Sequence, residues 1–317
     1  MSSQLQTTAV IMEQPERIRL DTLALPAAGD DDIVVDIDFS GISTGTEKLL
    51  WSGRMPHFPG MGYPLVPGYE SIGRVAQAGA HSGRHAGEMV FVPGARCFGE
   101  IRGLFGGAAS RLVVPGGRVA PIPDALGEQG VLLALAATAY HALQMRAGSG
   151  AMLIVGHGVL GRLLARLSCA LDSEPPTVWE TNPERATGAE GYTVLDPSDD
   201  ARLDYGTIID VSGDSGIVDS LVARLAPRGE IILAGFYSER LSFAFPAAFM
   251  REAVIRIAAE WKPDDLHAVC DLARAGRLRL DGLITHRQSA ARASEAYETA
   301  FHDPACLKMI LDWSVYQ

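Results

Sequence analysis

The rhythm of hydrophobic and polar positions changes near residue 125. Before that point the chain reads as short strands and turns. Residues 33–40 alternate, with Val35, Ile37 and Phe39 on one side and Asp36 and Asp38 on the other. That period of two predicts a half-buried strand. Segments 71–75, 88–92 and 109–114 predict further strands, each bounded by glycine or proline. After it, residues 130–145 are rich in Ala and Leu and predict a helix. An apolar strand at 151–155 leads into Leu160, Leu163, Leu164, Leu167 and Leu171, spaced for one face of a helix. Strands at 177–179, 207–211 and 230–235, with a helix over 216–225, continue the alternation. Such alternation implies a doubly wound parallel sheet. Helices starting near 264 and over 291–301, then a strand at 308–311, close the chain. The expected fold class is α/β: a β-rich domain over 1–125, a Rossmann dinucleotide-binding domain over 126–262, and a return segment over 263–317.

Strand 151–155 runs directly into Gly156-His157-Gly158-Val159-Leu160-Gly161. A Gly-x-Gly-x-x-Gly turn between a strand and a helix lets the backbone approach a pyrophosphate, which the helix N-terminus then holds. Glu180 ends the next strand about 20 residues on, the distance at which this fold places its ribose-binding acid. A carboxylate there accepts from both ribose hydroxyls and repels a 2′-phosphate, so the expected cofactor is NAD. Ser212 and Gly213, then Gly235 and Phe236, end two further strands and are expected to line the cofactor crevice. The substrate site is expected in a cleft between the two domains.

Composition excludes several classes. The chain has 317 residues and a formal net charge of −11, with no basic stripe to meet a nucleic acid. No apolar run approaches a membrane span, and the first eight residues lack the pattern of a signal peptide. The cytoplasm is therefore the expected compartment. Cys97, Cys169, Cys270 and Cys306 are scattered and suggest neither a disulfide framework nor a cysteine-rich zinc site.

Three further segments carry a resemblance. The stretch 41–47 (Gly-Ile-Ser-Thr-Gly-Thr-Glu), the stretch 66–73 (Val-Pro-Gly-Tyr-Glu-Ser-Ile-Gly) and the stretch 137–143 (Ala-Thr-Ala-Tyr-His-Ala-Leu) precede the glycine turn in order. Together they resemble the medium-chain dehydrogenase/reductase superfamily over nearly the whole chain. The resemblance implies a GroES-like barrel before the NAD domain, a nicotinamide contact at Thr138, and a possible homodimer through edge strands. It also implies a departure. Ser43 stands where zinc-dependent members carry a Cys ligand, Tyr69 where they carry a His, and 133–135 holds only Leu and Ala where a third ligand falls. A catalytic zinc needs three protein ligands, so no metal is expected. Ser43 and Tyr69 are expected to hold the reacting oxygen, with Thr46 and Glu70 extending a proton relay.

A finer resemblance is to members that oxidise the 3-(1-hydroxyethyl) group of a (bacterio)chlorophyllide to 3-acetyl with NAD. Trp51, Met55, His57, Phe58, Met61 and Tyr63 would then offer a flat tetrapyrrole an apolar and aromatic surface; the alternative is a surface loop with aromatic anchors. Three other readings stay open: a zinc-free quinone or enoyl reductase, a dehydrogenase of another small alcohol, and a non-catalytic NAD-binding subunit.

Overall fold

The computed structural model describes residues 4–171 and 174–317. Met1–Ser3, part of the stretch read for a signal peptide, lie outside the described residues.

One unit comprises residues 1–134 and 281–317. Its organising element is the long strand Asp32–Ile42. Ser71–Ala78 runs antiparallel along one edge. The other edge is shared: Arg111–Pro115 pairs with Asp32–Asp36, and Met309–Asp312 pairs with Phe39–Ile42. His286–Ser289, Met89–Val92 and Ala120–Pro121 complete a seven-stranded sheet. A second sheet orders Arg17–Ala24, Gln6–Gln14, Leu65–Val66 and Arg102–Gly103. The alternation read over 33–40 holds only in the middle: Val35 and Ile37 are fully buried between half-buried Asp36 and Asp38, but Phe39 is half-buried and Val34 and Ser40 are buried, because the pairing with Ser71–Ala78 shifts register on either side. The strand Gln6–Gln14, paired with Arg17–Ala24, carries no such signal. Val10, Ile11 and Met12 are consecutive and all fully buried, so the strand shows no polar face.

The other unit spans Leu135–Leu280. Its six strands are all parallel, in the order Thr193–Leu195, Thr177–Trp179, Met152–Val155, Tyr205–Asp210, Leu225–Leu233, Val254–Ile257. Strand order reverses at Met152–Val155. Ligands bind such sheets at that reversal, beyond the strand C-termini. The helix Val159–Leu171 follows at once, with Leu163, Leu164 and Leu167 fully buried.

The unit boundaries fall elsewhere than 125/126 and 262/263. The chain after 262 is divided. The helix Pro263–Arg274 belongs with the parallel-sheet unit, where Asp265 pairs with His141 at 2.9 Å. From Asp281 the chain is part of the β-rich unit, because Met309–Asp312 supplies that sheet with a strand. Two of the residues read as a substrate surface are instead part of the core. Trp51 and Met55 are buried, and the Trp51 ring lies tilted against Phe301 at 5.4 Å; Phe58, Met61 and Tyr63 are half-buried and His57 is exposed. No helix among the described residues is long and apolar enough to cross a membrane.

Candidate active site and nucleotide turn

In the β-rich unit the end of strand Asp32–Ile42 carries Ser43 into a short helix, Thr46–Trp51. The neighbouring strand Ser71–Ala78 begins just after Tyr69 and Glu70. Adjacent strand ends therefore bring the 41–47 and 66–73 motifs together. Tyr69 donates to Ser43 Oγ at 2.8 Å and lies 3.5 Å from Thr46 Oγ1. Ser43 is buried, whereas Thr46 and Tyr69 are half-buried. Burial, reinforced by the charge of Glu70, pushes the Tyr69 phenol well above its ordinary range. It therefore stays protonated and acts as a donor, not a base. Because Ser43 Oγ accepts from Tyr69, its own hydroxyl proton is free to point elsewhere.

Glu70 does not join this chain of hydroxyls. Its Oε2 takes a 2.6 Å ion pair from Lys308 Nζ, and both residues are buried. Lys308 also donates to the Ile42 carbonyl at 3.2 Å. Burial raises the Glu70 pKa and the lysine opposes that shift. Gly41 is required here, since a Cβ would stand 2.2 Å from Glu70 Oε2.

Glu47, Tyr297 and Lys308 went unnoticed in the sequence. Glu47 accepts from the Ser43 amide at 3.0 Å and from the Tyr297 hydroxyl at 2.7 Å. Burial pushes its carboxyl up to about 7, against the lowering effect of those two bonds. It thus fixes the backbone on which Ser43 Oγ is carried. The only signal was a charged residue within short motifs, which reads as surface until the partner strand and helix are known.

In the other unit the glycine turn is built as the motif requires. Gly156 has φ +102°, open to glycine and strained for other residues. A Cβ on Gly161 would fall 1.8 Å from the Gly156 carbonyl, and one on Gly158 would meet nothing within 4 Å. The first is a close approach of helix to turn; the second leaves room for a ligand. Val159 and Leu160 open the helix. Glu180 accepts from the His157 amide at 3.0 Å and from Asn182 at 2.8 Å, and stays half-buried. Two further lone pairs remain on its carboxylate. Ser212 and Gly213 are exposed, Gly235 is half-buried and Phe236 is exposed. Gly213 N and Tyr237 Oη each lie 3.4 Å from where a Gly235 Cβ would sit, so the two loops are close neighbours. Tyr237, which the sequence did not single out, donates to buried Asp210 at 2.7 Å. Thr138 is half-buried on the helix Leu133–Gln144. His157 is fully buried, and burial lowers its pKa to about 4, so it is neutral.

The β-rich unit with its hydroxyl cluster and the parallel-sheet unit with its glycine turn have the architecture of the alcohol dehydrogenases, as the following similarities show. The family model described as "Alcohol dehydrogenase GroES-like domain" matches residues 29–124. Among solved structures, 2R,3R-butanediol dehydrogenase from Bacillus subtilis aligns with a TM-score of 0.84 at 18% identity, covering 96% of this chain and 99% of that one. L-idonate 5-dehydrogenase from Escherichia coli aligns with a TM-score of 0.83 at 17% identity, covering 98% and 99%. In sequence, the "2-desacetyl-2-hydroxyethyl bacteriochlorophyllide A dehydrogenase" of Rhodobacter capsulatus is 59% identical over 310 residues, 98% of this chain and 99% of that one. Its namesake from Cereibacter sphaeroides is 57% identical over 314 residues, again covering 98% and 99%. The chain belongs to this family of dehydrogenases.

The Glu47 carboxyl makes folding stability depend on pH. A folded pKa raised from 4.5 to about 7 means that its contribution is complete below the ordinary carboxylate range and is lost as pH rises through about 7. Thermal melts of wild type and Glu47→Gln, compared from pH 5 to 8, should show wild type losing ground across that interval. Parallel melting curves would show that Glu47 ionises normally.

Proposed function

We propose that this chain oxidises the hydroxyethyl substituent of a bacteriochlorophyllide to an acetyl group, with NAD as hydride acceptor and without zinc. The observation that carries the chemistry is the Tyr69–Ser43 hydrogen bond, a pair of hydroxyls at the positions matching metal ligands in zinc-dependent members. The substrate follows from the names of the two relatives, which are 59% and 57% identical to this chain.

Zinc does not fit these side chains. Ser43 and Tyr69 are neutral hydroxyls, Glu70 is committed to Lys308, and Glu47 to Tyr297. Among the described residues no three His, Cys, Asp or Glu side chains are grouped to hold a metal ion. Zinc sites need charged or imidazole donors in a set of three or four. NAD does fit: Gly158 leaves open space at the turn and Glu180 keeps free acceptors near it. When bound, NAD accepts the hydride that leaves the carbinol carbon.

The chain's own residues handle the oxygen and its proton. Ser43 and Tyr69 hold the substrate hydroxyl by hydrogen bonds. As the hydride departs, the hydroxyl proton passes from hydroxyl to hydroxyl, between Ser43 and Tyr69 at 2.8 Å and between Tyr69 and half-buried Thr46 at 3.5 Å, and on to solvent water. The products balance as one ketone, one reduced nicotinamide and one proton. Glu70, held by Lys308, and Glu47, held by Tyr297, fix this cluster from beneath. Glu180 favours NAD over NADP by repelling a 2′-phosphate. The cytoplasm is the proposed compartment, where the four free cysteines stay reduced.

We also propose a homodimer. Val254–Ile257 is the last strand of the parallel sheet, with one edge unpaired among the described residues. Val254 and Ile257 on it are exposed, as are Phe245, Phe249 and Met250 nearby in sequence. An exposed apolar edge strand is a template for pairing with another chain. Ile257→Lys should convert a dimer to a monomer in analytical ultracentrifugation; an unchanged sedimentation coefficient would remove this edge from the interface.

The function is tested by an anaerobic assay with hydroxyethyl bacteriochlorophyllide and NAD or NADP, following the long-wavelength chlorin band and NADH absorbance together. A red-shifted product formed with NAD in preference to NADP is expected. Tyr69→Phe should lower turnover on the order of 100-fold while NAD affinity holds. A chlorin band that never shifts, from protein shown to bind NAD, would point to another substrate.

A further inference from the structure

Arg162 lies immediately after the third glycine of the turn, on the first turn of the helix Val159–Leu171. Its sequence position suggests an exposed helical arginine, yet it is only 5% exposed. Its guanidinium bonds to backbone carbonyls. Nε donates to the His157 carbonyl at 3.1 Å, and Nη2 donates to Arg185 at 2.9 Å and to Thr187 at 2.8 Å. Nη1 reaches the Gly188 carbonyl at 3.5 Å. Gly188 has φ +79°, and a Cβ there would stand 2.6 Å from Nη1, so the loop is shaped around the arginine. His157 tightens the same knot. Its Nδ1 faces the Arg185 carbonyl at 2.6 Å and therefore carries the proton, leaving Nε2 to accept from Tyr192 at 2.8 Å.

Two consequences follow from peptide geometry. In a trans peptide the carbonyl and the following N–H point in opposite directions. Arg162 holds the His157 carbonyl inward, so the Gly158 N–H is turned away from the arginine. That is the amide at the glycine where a side chain would meet open space. The same guanidinium fixes the carbonyls of Arg185 and Thr187, a few residues beyond Asn182, whose amide orients Glu180. One cation thus ties the pyrophosphate turn to the loop behind the ribose-reading acid.

We propose that Arg162 is a positioning residue for the dinucleotide, presetting both the Gly158 amide and the Glu180 carboxylate before the cofactor arrives. This deepens the NAD reading above and rests on it. Arginine suits the role because its planar fork spans carbonyls on two separate segments, which a lysine ammonium cannot do in one geometry. With Arg162 in place the turn is ordered before binding, and none of the binding free energy is spent on fixing it.

The test is NAD binding by Arg162→Met and Arg162→Lys, measured by calorimetry well below the melting temperature of each cofactor-free protein. Circular dichroism would check that each variant is folded. Arg162→Met should weaken NAD binding on the order of 30-fold, and Arg162→Lys about fivefold. In turnover the loss should fall mainly on KM for NAD. An arginine that only stabilised the fold would lower the melting temperature and leave these affinities alone. If Arg162→Met does not fold, Arg162→Lys decides. A folded variant that binds NAD within twofold of wild type overturns the proposal. Wild-type protein that binds neither NAD nor NADP overturns the cofactor reading instead.

Discussion

The buried ion pair between Glu70 and Lys308 is the interaction on which the β-rich unit and its chemistry depend. Both side chains lie out of water, at 2.6 Å. Taking two such charges from water costs several kcal/mol each, and deleting one partner leaves the other uncompensated at about 3–5 kcal/mol. Lys308 immediately precedes the closing strand Met309–Asp312, some 240 residues from Glu70. The ion pair therefore demands that the end of the chain come back to the strand Asp32–Ile42. It also accounts for Gly41, whose missing side chain leaves room for the carboxylate. Glu70 Oε1 has no hydrogen-bond partner among the described residues, so Lys308 carries the compensation for that carboxylate.

The hydroxyl cluster stands on this platform. Glu70 precedes the strand Ser71–Ala78 and follows Tyr69 directly, so locking the acid fixes the tyrosine's backbone. Glu47 does the same for Ser43 through its amide. Two buried carboxyls thus act on the backbone and leave three hydroxyls to face the chemistry. This division suits a site whose charges are sequestered beneath it. In the proposed mechanism the oxygen of the substrate meets neutral hydroxyls, and burial, reinforced by the charge of Glu70, keeps the Tyr69 phenol protonated.

Much of this was legible in the sequence, unevenly. The strand–turn–helix at 151–171 and the acid at Glu180 were readable because the motif is local and its spacing is fixed by the fold. Ser43, Thr46 and Tyr69 were named from a resemblance, and adjacent strand ends bring them within hydrogen-bonding distance. Lys308 and Arg162 escaped notice for a common reason. A charged residue beside an apolar segment reads as solvent-facing, and only long-range partners reveal that it is buried. The strand Gln6–Gln14 was invisible because burial on both faces erases alternation. Trp51 and Met55 were read as a surface for a flat ligand, whereas packing against the helix Ala293–His302 and the core claims them. The break near 262 was misplaced because the helix Pro263–Arg274 is held by a distant pairing, Asp265 with His141.

The central claim is that protein hydroxyls, not a metal, hold the reacting oxygen. The most direct measurement is turnover of protein treated with a strong chelator, with zinc quantified by mass spectrometry in the same sample. The account predicts full NAD-dependent oxidation of the hydroxyethyl group at far less than one zinc per chain. Activity that disappears on chelation and returns in proportion to added zinc would contradict it.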